Sequence, residues 1–101
     1  MATGLYAQTS LIADTNTTVF TTAATSAIYN IRLTNRNVVA VTVQLALAAA
    51  ATPVAKEYIE FDVIIPANGV LEEQGLSLQA GILIVAQANT ANVSVAVWGV
   101  E

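Results

Sequence analysis

A two-residue alternation of apolar and polar side chains, repeated along most of the chain, is the feature that most restricts its fold. In the stretch 27–35, Tyr29, Ile31 and Leu33 fall on one side and Asn30, Arg32 and Thr34 on the other. In 39–47, Val39, Val41, Val43, Leu45 and Leu47 oppose Ala40, Thr42, Gln44 and Ala46. In 57–65, the same phase puts Ile59, Phe61, Val63 and Ile65 toward a core and Tyr58, Glu60, Asp62 and Ile64 toward water. Ile82, Ile84 and Ala86 oppose Leu83, Val85 and Gln87, and Val93, Val95 and Val97 oppose Ser94, Ala96 and Trp98. Successive side chains of a strand point to opposite faces, so this period is the signature of half-buried β-strands. Val, Ile and Thr supply 33 of the 101 residues, and such side chains fit a pleated surface better than a helix.

Weaker strands are expected at 5–9, 17–22 and 70–78. Turn residues separate the strands: Asp14-Thr15-Asn16, Asn35-Arg36-Asn37, Pro66-Ala67-Asn68-Gly69, Ala80-Gly81 and Asn89-Thr90-Ala91-Asn92. The Ala-rich run 46–51 favours helix by propensity, but it follows a strand pattern and leads to Pro53, so it is read as a strand end entering a loop. The fold expected is all-β: one domain over residues 1–101, an antiparallel β-sandwich or jelly-roll-like barrel of about eight strands, with an arm-like N-terminal segment.

Composition narrows the chemistry. There is no His and no Cys, which removes His-based triads, thiol nucleophiles, disulfides and the common zinc sites. Three basic residues, Arg32, Arg36 and Lys56, against seven acidic ones make a phosphate-tracking groove an unsuitable reading, so no nucleic-acid partner is expected. No basic residue followed by an apolar run opens the chain, and no secretory leader is expected. The uncharged stretch 37–55 is interrupted by Thr42 and Gln44 and closed by Pro53, and it is read as strand rather than membrane span. Asn16-Thr17-Thr18 and Asn92-Val93-Ser94 match the glycosylation pattern, which carries little meaning without such a leader.

The carboxylates offer little. Glu60 and Asp62 would share one strand face and, with Tyr58, form half of a calcium site, but a solvated outer face is the simpler reading. Glu72 and Glu73 are adjacent and would point to opposite faces, a poor arrangement for paired acid–base work. No catalytic residue, metal ligand or cofactor is assigned, and the chain is read as non-enzymatic. Tyr58 and Trp98 would form a sugar-stacking platform only if their strands were neighbours.

The shortage of charge is more informative. Only 10% of the residues are charged, and none between Gln74 and Val100. Soluble surfaces carry about 25–35% charged residues, so β faces this dry point to a protein whose strands are covered by other subunits.

Four segments carry a resemblance. IYNIRLTNRN (28–37) is similar to the INVRLVNR strand and turn of small virion structural proteins of tailed bacteriophages. EYIEFDVIIPANGVLE (57–72), GLSLQAG (75–81) and VSVAVWGVE (93–101) extend the resemblance through the rest of the chain. It implies a β-sandwich, commonly trimeric, that acts as a capsid cement (decoration) protein or as a tail-, neck- or fibre-associated piece, with no catalytic residues. The expected function is then a capsid decoration protein in the virion, assembled in the host cytoplasm. Its expected partners are itself, as a homotrimer, and the major capsid protein or another virion protein. Candidate contact residues are Leu5 and Tyr6 in the N-terminal arm, Arg32 and Arg36 near the first strong turn, Tyr58, and Trp98 in the last strand. A tail or fibre role and a carbohydrate-binding module stand as alternatives, and a small carboxylate hydrolase as a remote one.

Overall fold

The computed structural model describes residues 3–101. Eight strands run in order: β1 (Thr3–Ser10), β2 (Thr17–Thr21), β3 (Ala27–Asn35), β4 (Val41–Ala48), β5 (Tyr58–Ile65), β6 (Val70–Leu78), β7 (Leu83–Ala88) and β8 (Val93–Val100). A 3-10 turn, Ala55–Glu57, leads into β5. Its Glu57 carboxylate accepts the backbone N–H groups of Ala49 at 3.0 Å and Val54 at 2.9 Å, which ties the Ala-rich loop down.

The strands form two antiparallel four-stranded sheets, β1-β8-β3-β6 and β2-β7-β4-β5. The antiparallel pairs β1–β8, β2–β7, β3–β6 and β4–β5 nest inside one another along the chain. The chain is therefore one long ribbon rolled up, and β3–β8 and β4–β7 ladders close the roll. This is the wiring of a jelly roll. Every connection except the one between β4 and β5 crosses from sheet to sheet, so the inner faces of both sheets share one core.

That core is what the alternation supplies. Tyr29, Ile31 and Leu33 from β3, Val41, Val43 and Leu45 from β4, Ile84 and Ala86 from β7, and Val93, Val95 and Val97 from β8 are all buried. Each face follows the expected phase. Phe20 and Tyr6 pack edge-on against Tyr29, with ring centroids 5.5 and 5.7 Å away. The Tyr29 hydroxyl donates to Glu101 Oε2 at 2.8 Å, and burial followed by this bond pushes its pKa up to about 12. The stretch 37–55 is loop, β4 and loop. Among the described residues no helix is long and apolar enough to cross a membrane.

One pattern was not expected. In each of the four edge strands the pairing register slips: at Tyr6 in β1, Val19 in β2, Gln74–Gly75 in β6, and twice in β5, at Ile59 and at Phe61–Asp62. In every case the extra residue belongs to the edge strand. The inner pairs β3–β8 and β4–β7 run without a slip. Bulges twist an edge away from a regular ladder and so block edge-to-edge pairing with another chain.

Candidate functional site

The two bulges in β5 change what its alternation means. Val63 and Ile65 face the core as expected, opposite Val43 and Val41. N-terminal to the bulge at Phe61–Asp62 the phase reverses. Asp62 has φ of +52°, a conformation that Asp and Asn tolerate better than other side chains. Glu60 pairs with Leu45 on the inner side and Tyr58 with Ala46 on the outer side. The expected core positions Ile59 and Phe61 are therefore exposed, Phe61 by 60%, and Ile64 on the outer side is exposed by 68%. Tyr58 covers a small outer cluster of Ala46, Ala48 and Val85, and Phe61 packs edge-on against Tyr58 with centroids 5.0 Å apart. The outer face of this sheet thus presents Leu83, Tyr58, Phe61 and Ile64 among Thr and Gln side chains. Its charges are Asp62, which accepts a 2.8 Å hydrogen bond from Gln44 Nε2, and Asp14 at the rim.

Further apolar side chains are exposed at one end of the sandwich. Val38 is 85% exposed and Val39 is 63% exposed in the loop between β3 and β4. This loop is held by a buried amide. Asn35 Nδ2 donates to the carbonyls of Val39 at 2.9 Å, Pro66 at 3.0 Å and Ile65 at 3.2 Å. Its Oδ1 accepts from Asn37 N at 2.9 Å and Asn37 Nδ2 at 3.0 Å. Asn37 Nδ2 also donates to Ala91 O, and Asn68 N donates to Asn37 O. Three loops, 35–39, 65–69 and 89–92, are stapled into one platform under two exposed valines. Ordering a loop before contact lowers the entropic cost of binding.

The opposite sheet presents a more polar outer face. Leu5 pairs with Trp98, and Trp98 with Asn30, so these side chains lie side by side. Arg32 forms an exposed ion pair with Glu72, which also accepts from Gln74. The guanidinium and these bonds hold the Glu72 carboxyl below its ordinary range. A shallow depression of about 320 Å³ lies alongside, lined by Gln8, Ser10, Arg32, Thr34, Ser94 and Ala96 among others. Arg36 Nη2 donates to Ser10 Oγ at 2.8 Å at the end of this sheet. Of the candidate contact residues, Leu5, Arg32 and Trp98 therefore share one face, and Arg36 flanks it. Tyr58 is on the outer face of the other sheet. Tyr6 turns inward at the β1 bulge and joins the core aromatics. Because Tyr58 and Trp98 belong to different sheets, they form no common stacking platform.

The acidic residues also rearrange. The shared face expected for Glu60 and Asp62 does not exist, because the bulge sends Glu60 inward and Asp62 outward. Glu72 and Glu73 do point to opposite faces, and Glu73, opposite Ile31, faces inward. Glu60 and Glu73 meet between the sheets within hydrogen-bonding reach. The hydrogen bond with Glu60, partial burial and the charge of Glu60 push Glu73 up to about 7. Among the described residues no three acidic or other metal-ligating side chains come together. Sequence spacing missed this pair because its members come from different sheets. Asp62 and Gly75 were the available signals, as residues suited to positive φ set within strand patterns.

Comparison with known proteins found no matching family model, no similar curated protein and no similar solved structure.

Proposed function

We propose that the chain is a non-enzymatic virion structural protein of a bacteriophage, a capsid decoration protein that associates with itself and seats on the shell where major capsid subunits meet. The observation that carries this reading is the set of exposed apolar side chains, Phe61 and Ile64 beside Tyr58 on a charge-poor outer face and Val38 and Val39 on the stapled loop at one end of the sandwich. Such a surface is an interaction site by physical default. Bulged edges direct contacts to the faces and the loop end rather than to open ladders. The chain exposes 5223 Å², and a stable interface takes about 800 Å² from each partner, roughly one-seventh of that surface. The jelly-roll architecture serves capsid and sugar-binding proteins alike, so the fold does not choose between them. The charge-poor face and the separation of Tyr58 from Trp98 favour the structural role.

Light scattering tests the proposal directly. The wild-type chain should be a defined oligomer at micromolar concentration, and Phe61→Ser/Ile64→Ser should weaken association at least about tenfold, the weight of one buried anchor, with an unchanged melting temperature. Quantitative mass spectrometry of purified particles should find hundreds of copies. A wild-type monomer at high micromolar concentration, with no copies retained on particles, refutes the reading. A dozen copies per particle would place the protein in the tail instead.

A further inference from the structure

The carboxyl pair inside the sandwich has no part in docking. Glu60 faces inward because the β5 bulges reverse its phase, and Glu73 faces inward from β6, next to the bulge at Gln74–Gly75. There Gly75 takes φ of +70° and its N–H donates to Asn30 Oδ1. β5 and β6 are the outer strands of the two sheets on the same side, and only the turn 66–69 joins them. No ladder connects them. On the far side, β1 and β2 approach each other and the Tyr6, Phe20 and Tyr29 rings fill the gap. We propose that Glu60 and Glu73 are a proton-operated clasp: one shared proton holds the β5–β6 side of the sandwich together in mild acid, and its loss lets these two strands part.

Among the described residues the surroundings supply no competing charge. From β4 the neighbour across the ladder is Leu45, and from β3 it is Ile31, both fully buried and apolar. On β5, Asp62 points outward to Gln44 and Tyr58 lies on the outer cluster. On β6, Glu72 points outward to Arg32. Tyr29 on β3 is bonded to Glu101, and Glu57 before β5 is bonded to backbone N–H groups. Lys56 is exposed. Two carboxylates at the margin of an apolar core cannot both ionise without repulsion, so the pair keeps one proton. The pKa of Glu73 at about 7 agrees with this geometry.

The direction follows from linkage. A folded-state pKa raised from 4.5 to about 7 means that the folded chain keeps a proton the open chain has lost. The clasp's contribution is full below the ordinary carboxyl value and is lost as the pH rises through about 7. In that window the open fraction grows by up to about tenfold per pH unit.

Thermal melts from pH 5 to 8 and hydrogen exchange corrected for intrinsic rates test the clasp. The wild-type melting temperature should fall by about 5 °C or more across this range. Glu73→Gln, which keeps the shape and donates an amide N–H, should flatten most of that fall and melt higher than wild type at pH 8. Amides of β5 and β6 should open more at pH 8 than at pH 6, while those of β1 and β2 do not. Should Glu73→Gln not fold, Glu60→Gln and a carboxyl-carbon NMR titration of the wild type carry the same test. Parallel pH slopes for wild type and variant, or a Glu73 midpoint at the ordinary Glu value, overturn the proposal. Neither result would bear on docking, because the pair lies off the proposed contact surface.

Discussion

Replacing Asn35 is the sharpest probe of the platform beneath Val38 and Val39. The side chain is almost fully buried, and its amide satisfies carbonyls on two loops while its oxygen holds Asn37. In Asn35→Ala the Pro66 carbonyl keeps a second donor, the N–H of Gly69 at 2.9 Å. The Ile65 carbonyl and the Asn37 amide lose a partner in a place where water enters poorly. Each buried orphan costs about 1–3 kcal/mol, so the two together cost about 2–6 kcal/mol, and Tm should fall by roughly 10 °C or more for a domain of this size. Asn35→Asp separates shape from hydrogen bonding. Its carboxylate would face three carbonyl oxygens with nothing to donate, so its folded-state pKa must rise above the ordinary value. A raised value means that stability is retained in acid and lost as the pH increases.

Urea denaturation followed by circular dichroism, at pH 4.5 and pH 7.5, reads both effects. Differences from wild type at the same pH remove the slope due to Glu60 and Glu73. Asn35→Asp should lie within about 1–2 kcal/mol of wild type at pH 4.5 and match or exceed the Asn35→Ala loss at pH 7.5. If Asn35→Ala costs less than about 1 kcal/mol, or if Asn35→Asp shows no pH dependence relative to wild type, the Asn35 amide does not staple these loops.

Two further substitutions test the frame around the site. Gly99→Ala should destabilise by about 3 kcal/mol or more in the same urea assay, because its Cβ would fall 2.0 Å from the Ile28 carbonyl oxygen in a strand paired on both sides. Arg32→Ala should leave Tm within about 2 °C at pH 7, since the Arg32–Glu72 pair is exposed and screened. What Glu72 contributes is present above its ordinary pKa and lost as pH falls through its lowered value, so Arg32→Ala should shrink the acid-side loss in a pH series of melts.

Most of the fold is legible from alternation because four of the strands, β3, β4, β7 and β8, each bury one face of the pattern. In β3 and β8 the apolar set Tyr29, Ile31, Leu33, Val93, Val95 and Val97 is the core itself. These inner strands share a ladder without a slip, and the extra residues of their other ladders belong to β1 and β6, so β3 and β8 themselves keep an unbroken period of two. β5 shows where the reading fails. Its alternation from Ile59 to Ile65 is as regular as that of β3, yet one extra residue at Phe61–Asp62 turns Glu60 inward and exposes Ile59, until the second bulge at Ile59 returns Tyr58 to its expected outer side. No local pattern records that slip except a polar residue able to adopt positive φ. The Glu60–Glu73 contact was invisible for a second reason, since it depends on both bulges and on how two sheets stack.

The same irregularity links the two functional ideas. A β5 strand without bulges would bury Phe61, expose Glu60, and offer an open ladder to any neighbouring chain. The bulged strand does the reverse on every count: Phe61 moves to the outer face, Glu60 turns toward Glu73, and the edge no longer presents a continuous row of donors and acceptors. Local departures from an otherwise consistent pattern are where function tends to sit, because folding alone gives no reason for them. The apolar patch and the clasp are then two consequences of one backbone choice at Asp62, on opposite sides of the same strand.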